Sequence, residues 1–552
     1  MIAVRSQAAK GKRPIHAPLP SGQGPGGRTP GLADWALDMP LMLILLISAA
    51  LRLLFLDYSH FQGDEIKALY PAGAGFPDFL LAQKKGPVQF LVTLLVRKLT
   101  GDYVEWQTRL PFSLASLLGV YVLYRLVRDE FGPRPALLVA ALVGSCGLLV
   151  AFGRIVQYQA FCMLFVLLAA SLLFRVLRGG DPRLLYPGFM CYGLALLAHY
   201  DALTFAPTLV LLLALAARRR AGWRRSYFAH LALAGASGLC LVSLFYLPYL
   251  RQPLFSLVRD YLLERVAAGQ GMRTFTGTHD LLSLYLPPFY LTFAIPFLGI
   301  GAFGVVRSKG TPEGLIIPTW FVTTFAFYML LGGDPRSHVY NYFLPGLILV
   351  ALGIDTVISI GEGRAVGQVL HAAAWGVIVL IGGVTYYMVV DHTVEHPWDR
   401  KTVFGYELPN LVTRRVEGVF GFPYRRGLDQ VGALFRSGRL RGTFSSNERD
   451  VMADYYFQAP RSTRPDYYIF VLRPLSLERE LPAVVALAYR RIGTVTERGR
   501  QTIEIYEAPW RVTAGQGTTS DPARLTSERR SSQTSDDATT HIKRLDSSRP
   551  FR

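Results

Sequence analysis

The sequence predicts an all-α polytopic membrane protein with a small α/β domain after its last span, and three observations carry that prediction. Of 552 residues, 51% are hydrophobic and only 18% charged, against about 25% charged in ordinary soluble domains. The apolar residues gather into about eleven runs of near-spanning length. Past residue 390 this texture stops, and a charged stretch with short helical and strand patterns replaces it.

Residues 1–34 are rich in Gly, Pro, Lys and Arg and hold too few apolar groups for a core, so they read as a disordered basic cytoplasmic arm. The first apolar run starts near Pro40, too far in for a typical cleavable signal peptide, and reads as a retained anchor. Spans are expected at 40–56, 110–127, 136–152, 160–177, 184–199, 202–217, 228–249, 287–306, 314–332, 342–360 and 366–390, which makes 35–390 the membrane domain. Short connections on one side carry Arg125, Arg128 and Arg134, then Arg175, Arg178 and Arg183, then Arg218, Arg219, Arg220, Arg224 and Arg225, then Arg307 and Lys309, then Arg364. The opposite short turns hold only Arg154 and Arg336. The positive-inside rule therefore puts the N-terminus in the cytoplasm and, after an odd number of spans, residues 391–510 outside. A bacterial inner (plasma) membrane is the expected location.

This charge placement accounts for the net charge of +19 without nucleic acid as a partner. Cys146, Cys162, Cys191 and Cys240 lie within or at the ends of apolar runs with no metal-ligand spacing, so neither a disulfide framework nor a cysteine zinc site is expected. In the long connection 57–109, Val88 to Leu99 is apolar but too short to span, and is expected to lie along the interface. In 250–286, Leu254, Leu257, Val258, Tyr261 and Leu262 recur at helical spacing, as an interfacial helix or a solvated amphipathic loop. Within 391–510, an α/β domain, a helix is expected near Gly427 to Leu440 and a strand at Tyr467 to Leu472. A hairpin of Ile492 to Val495 with Thr502 to Tyr506 is expected to turn at Glu497 to Gly499. The Ser-, Thr-, Asp- and Arg-rich residues 511–552 read as a disordered tail.

Chemistry-bearing residues cluster at the outer ends of different spans. Asp64 and Glu65 follow the first span, where one carboxylate can take a proton from an acceptor hydroxyl; the alternative is a solvated pair. Lys84 and Lys85 precede a Gly86-Pro87 turn at headgroup level, either holding a lipid phosphate or snorkelling. Arg154, kept against the charge bias in a turn with Gln157 and Gln159, points to an anionic partner. His199 and Asp201 flank Tyr200 as substrate contacts, metal ligands or a polar helix cap; one His and one Asp are too few to assign a metal. Arg336, His338 and Tyr340 precede the tenth expected span, in a polar segment that also reads as a solvated turn. Convergence on one side makes all of these candidate substrate-binding residues of a single cavity, which Arg52 inside the first span is expected to face.

In order and sidedness these residues resemble the GT-C glycosyltransferases, specifically family 39 with its bacterial protein mannosyltransferase and lipid A aminoarabinose transferase relatives, over roughly residues 40–390. The landmarks are Asp64-Glu65, then Lys85-Gly86-Pro87 where the family typically has Lys-Pro-Pro, then Arg109-Leu110-Pro111. The Gly153-Arg154 turn follows, and Arg336 to Tyr340 with Pro345 completes the set. The resemblance implies a membrane enzyme moving a sugar, with inversion, from a polyprenyl phosphate to an extracytoplasmic lipid, glycan or protein. It implies Asp64 as general base, Glu65 as its supporting neighbour, and Lys85 with Arg154 as phosphate-binding cations. Gln159 stands where many relatives carry an Asp, which speaks against a two-carboxylate or metal-assisted scheme. No cofactor is assigned, and metal dependence is open. The competing class, a lipid or glycan transporter or flippase, usually shows internal repeats and a midplane polar cluster; neither is evident in the sequence.

Overall fold

The computed structural model describes residues 39–514 except 72–74, 84, 220–223, 253–254, 257–258, 261–262, 264–271, 310–311, 332–335 and 415–418. The expected arm, nearly all of the expected tail, Lys84 and most of the helical pattern at 254–262 lie outside the described residues.

Every apolar run expected to span is helical. Among the described residues, eight helices are long and apolar enough to cross a membrane: Glu105–Phe131, Gln159–Leu177, Tyr200–Arg219, Arg225–Leu250, Tyr290–Arg307, Pro312–Leu330, Tyr340–Ile360 and Ala365–Val390. A ninth is the pair Pro133–Ser145 and Gly147–Gly153, bent by 63°. The bend frees carbonyls that lipid cannot hydrate, so they need a donor from the protein. Arg52 supplies it, donating to Gly144 O at 2.7 Å and Val143 O at 3.2 Å, and to Ser116 Oγ at 3.0 Å. Arg52 therefore fills the broken helix instead of facing a substrate cavity, which corrects the expectation. The runs at 40–56 and 184–199 form the shorter helices Met39–Leu53 and Leu185–Ala198, of 15 and 14 residues. At about 1.5 Å per residue each falls short of a hydrocarbon core about 30 Å thick.

The helical bundle has two distinct ends. At one, short connections pair their arginines locally: Arg134 with Asp355, Arg178 with Glu130 at 3.0 Å and Arg219 with Glu313 at 2.9 Å. At the other stand the long connection after Met39–Leu53 and the C-terminal domain. That connection folds as three helices, Gly63–Ile66, Phe76–Leu81 and Val88–Thr100. The last is amphipathic, burying Gln89, Phe90, Thr93 and Val96 while Leu91, Leu95 and Leu99 face outward.

In the C-terminal domain a two-residue hairpin, β1 (Thr402–Val403) with β2 (Tyr406–Glu407), precedes a four-stranded sheet of β3 (Phe444–Ser446), β4 (Tyr467–Val471), β5 (Arg490–Glu497) and β6 (Arg500–Glu507). The sheet order is β3-β4-β6-β5, with β3 parallel to β4 and the other pairs antiparallel. The expected hairpin is β5–β6. Its turn residues Arg498 and Gly499 take φ of +52° and +76°, the left-handed pair a two-residue turn between twisted strands requires. The domain is seated on the long connection by backbone bonds: His60 N donates to Tyr424 O at 3.0 Å, and Tyr424 N to Tyr58 O at 3.2 Å. Phe61 N adds a bond to the Tyr456 hydroxyl at 2.6 Å.

Candidate active site

The site begins with a buried ion pair that shapes the long connection. Arg109, at the start of Glu105–Phe131, donates Nε to Glu65 Oε1 at 2.9 Å and Nη2 to Glu65 Oε2 at 2.8 Å, both side chains fully buried. Its remaining hydrogens go to the carbonyls of Leu56, Ser59 and His60 at 2.8–3.0 Å. Glu65 also accepts from the Gln62 and Val156 amides at 2.9 and 3.0 Å. Four charge-assisted bonds leave Glu65 no free role as a base; its place is to hold the short helix Gly63–Ile66. Sequence reasoning named Arg109 only as a landmark.

Asp64, one residue earlier on that helix, is turned the other way and partly exposed. Lys67 Nζ lies 3.4 Å from its Oδ1 and Lys85 Nζ 3.7 Å from its Oδ2. Burial alone would raise the Asp64 pKa, but Lys85 and Lys67 outweigh it and hold the carboxyl below its usual range. Burial pushes Lys85 down, with Asp64 opposing. Lys67 was missed, although its place three residues after Asp64 in a helix is readable. Lys85 is positioned by its neighbour: a Cβ on Gly86 would sit 2.0 Å from the Leu197 carbonyl oxygen, so only glycine lets the loop close against Leu185–Ala198.

That closure brings Lys85 to the other expected residues. Its Nζ lies 5.1 Å from the centre of the Tyr158 ring, and Tyr158 stacks on His199 with centroids 3.7 Å apart. Buried Asp201 is the hub beyond them. Its Oδ2 accepts from His338 Nδ1 at 2.7 Å, Tyr340 O–H at 2.9 Å and Asn341 Nδ2 at 3.2 Å. Its Oδ1 lies 3.0 Å from His199 Nδ1. The expected pair His199 and Asp201 thus gains a third member, His338, from 137 residues away. Tyr158 and Asn341 join the site although neither was singled out.

Other expected residues are elsewhere or bound differently. Arg154 is fully buried and donates to Leu51 O and Leu54 O at 2.8 Å and Phe55 O at 3.1 Å. It closes the C-terminal end of Met39–Leu53, whose last carbonyls lack helical partners, and is no counterpart of Lys85; the expected phosphate role is corrected. Gln157 and Gln159 are buried and bonded to each other at 2.9 Å, while Gln157 Nε2 and Gln159 Oε1 have no partner. Arg336 opens the short helix Arg336–His338, but its side chain, like Lys84, is outside what is described.

Two cavities flank this core. A polar one of about 940 Å³ lies between the long connection and the C-terminal domain, lined among others by Lys67, Tyr70, Arg97, Tyr103, Arg436 and Tyr455. An apolar one of about 320 Å³ is walled by Leu298, Phe321, Phe325, Met329 and Tyr342.

Residues 84–246 match the family model described as dolichyl-phosphate-mannose-protein mannosyltransferase. A Bacillus subtilis (strain 168) protein named "Putative mannosyltransferase YkcB" is 28% identical over 171 residues, which are 28% of this chain and 23% of that protein. YycA of the same organism, named in the same words, is 26% identical over 196 residues, 33% of this chain and 28% of its own length. The chain thus spans about a quarter of the length of these relatives. A crystal structure of ArnT from Cupriavidus metallidurans bound to undecaprenyl phosphate superposes with a TM-score of 0.47 at 14% identity, covering 87% of this chain and 98% of that one. Over residues 84–246, then, the chain is similar to the dolichyl-phosphate-mannose-protein mannosyltransferases, and its two Bacillus subtilis relatives are named as mannosyltransferases.

Proposed function

We propose that this protein is an inverting glycosyltransferase that moves a sugar from a polyprenyl phosphate to an acceptor outside the cytoplasm, in a bacterial inner membrane with the C-terminal domain external. The observation that carries the reading is Asp64: a part-exposed carboxylate held between Lys85 and Lys67, on a helix fixed by the Glu65–Arg109 pair.

The acceptor hydroxyl attacks the anomeric carbon from the face opposite the lipid phosphate. The new carbon–oxygen bond forms as the bond to phosphate breaks, the hydroxyl proton goes to Asp64, and polyprenyl phosphate leaves. Lys85 meets the charge growing on the leaving phosphate, a preorganised stabilisation that needs no rearrangement during reaction. Donor binding also primes the base. A phosphate drawing on Lys85 relieves Asp64 of its strongest cationic partner, and its basicity rises as the substrate arrives. His199, Asp201, His338 and Tyr340, linked to Lys85 through the Tyr158 ring, suit the sugar hydroxyls or phosphate oxygens. The apolar cavity suits a stretch of polyprenyl chain, and the polar cavity beside Lys67 suits the acceptor.

The test is transfer of radiolabel from a panel of polyprenyl-phosphate sugars by purified protein in lipid. Saturable, protein-dependent transfer from one donor is the expected result. Lipid movement across vesicles with no transfer from any donor would replace the enzyme reading with a transporter.

A further inference from the structure

His199, Asp201 and His338 each offer one ligand atom, all buried and all within 4.8 Å of one another. Two imidazole nitrogens and one carboxylate form a donor set for a divalent cation of the zinc type; magnesium and calcium prefer oxygen alone. Proximity is not the only observation. The Asp201 amide N–H stands 3.1 Å from His199 Nδ1 and turns that nitrogen toward the carboxylate. The same nitrogen stands 3.0 Å from Asp201 Oδ1. His199 Nδ1, His338 Nδ1 and the Asp201 carboxylate thus already converge on one buried spot, as ligands of a single ion must. The carboxylate is also braced from behind as ligating carboxylates are, by Tyr340 O–H at 2.9 Å and Asn341 Nδ2 at 3.2 Å, while Tyr158 clamps the His199 ring.

We infer that His199, Asp201 and His338 bind one divalent cation, zinc by the preference of its donors, across the Tyr158 ring from Lys85. Binding asks two changes of the site. His338 moves its ring proton from Nδ1, where it now faces Asp201 Oδ2, to Nε2, and His199 turns its lone pair from the Asp201 amide to the ion. Three protein ligands leave a fourth tetrahedral position open. On the glycosyltransferase reading that position takes an oxygen of the donor phosphate, opposite Lys85; this role rests on that reading, whereas ion binding does not.

The experiment uses the full-length chain in detergent with a histidine-free affinity tag. Metal is removed with dipicolinate, and Co²⁺ is titrated in as a spectroscopic stand-in for Zn²⁺. The expected result is saturation near about one equivalent and a visible band of the four-coordinate type. Asp201→Asn and His338→Gln lower the affinity by roughly a hundredfold or more, and Tyr340→Phe, a milder change behind the ligand, by roughly tenfold. No saturable band in the unaltered protein overturns the site. So does the same band and affinity in Asp201→Asn and His338→Gln. Because no readout depends on sugar transfer, saturable Co²⁺ in a protein that transfers nothing keeps the ion site and overturns only the enzyme reading.

Discussion

Asp64 and Lys85 set each other's protonation. Lys85 and Lys67 hold Asp64 below the usual carboxylate range, so on the proposed mechanism it is ionised at neutral and mildly acidic pH, and activity is expected to fall when acid protonates it. Removing a cation raises the Asp64 pKa of the free enzyme, so the acid limb of kcat/KM in Lys85→Gln is expected at higher pH than in the parent. Burial lowers Lys85, so the alkaline limb lies below that of an ordinary lysine, and Lys85→Arg, which keeps its charge, removes that limb. The pH dependence of kcat/KM for the three proteins checks both signs; an acid limb that stays put in Lys85→Gln would separate the two residues. The acid pair and the lysine loop were legible in the sequence because each is contiguous and follows or precedes a clear apolar run. Arg109, Arg154 and Arg52 were not legible in role. Sequence shows a costly arginine, but only the fold shows which helix ends and breaks leave carbonyls for it.

At the scale of elements, the long connection holds its shape through few contacts, each open to test. Arg109→Met leaves Glu65 buried without its partner, and removing one member of such a pair costs about 3–5 kcal/mol. Gly86→Ala drives a methyl into the Leu197 carbonyl, so the lysine loop must lift away from Leu185–Ala198. Thermal unfolding in detergent should show a large loss for Arg109→Met. For Gly86→Ala a higher donor KM is expected, with a smaller drop in unfolding temperature. Arg154→Ala distinguishes the observed helix clamp from the expected phosphate ligand. It leaves buried carbonyls unpaired at about 1–3 kcal/mol each, so stability falls while donor affinity of the folded protein holds. A donor affinity lost at unchanged stability would reinstate Arg154 in the site. Helix positions were readable from hydropathy, yet the bend at Cys146 was not. Residues 136–152 are continuously apolar, and the break is enforced by tertiary approach: a Cβ on Gly147 would lie 2.0 Å from the Tyr285 carbonyl oxygen.

Over the whole molecule, the arginine-rich connections stand at one end of the bundle and Asp64, Lys85, Asp201 and the C-terminal domain at the other. The positive-inside rule assigns the arginine end to the cytoplasm. A cysteine placed on the exposed Phe404 between β1 and β2 is therefore expected to react with membrane-impermeant maleimide in intact spheroplasts, in a background where the native cysteines are replaced. Labelling only after lysis would reverse the orientation. The domain's hairpin and central strand were legible from alternation, but its docking was not, since His60, Tyr424 and Tyr456 meet across several hundred residues of chain. The central claim, that Asp64 is the base of a sugar transfer, is tested most directly by single-turnover transfer from a bound polyprenyl-phosphate sugar with Asp64→Asn beside the parent. General base catalysis contributes about a hundredfold to ten-thousandfold, so a loss of that size with donor binding retained is the predicted result. Transfer by Asp64→Asn at the parental rate would contradict it.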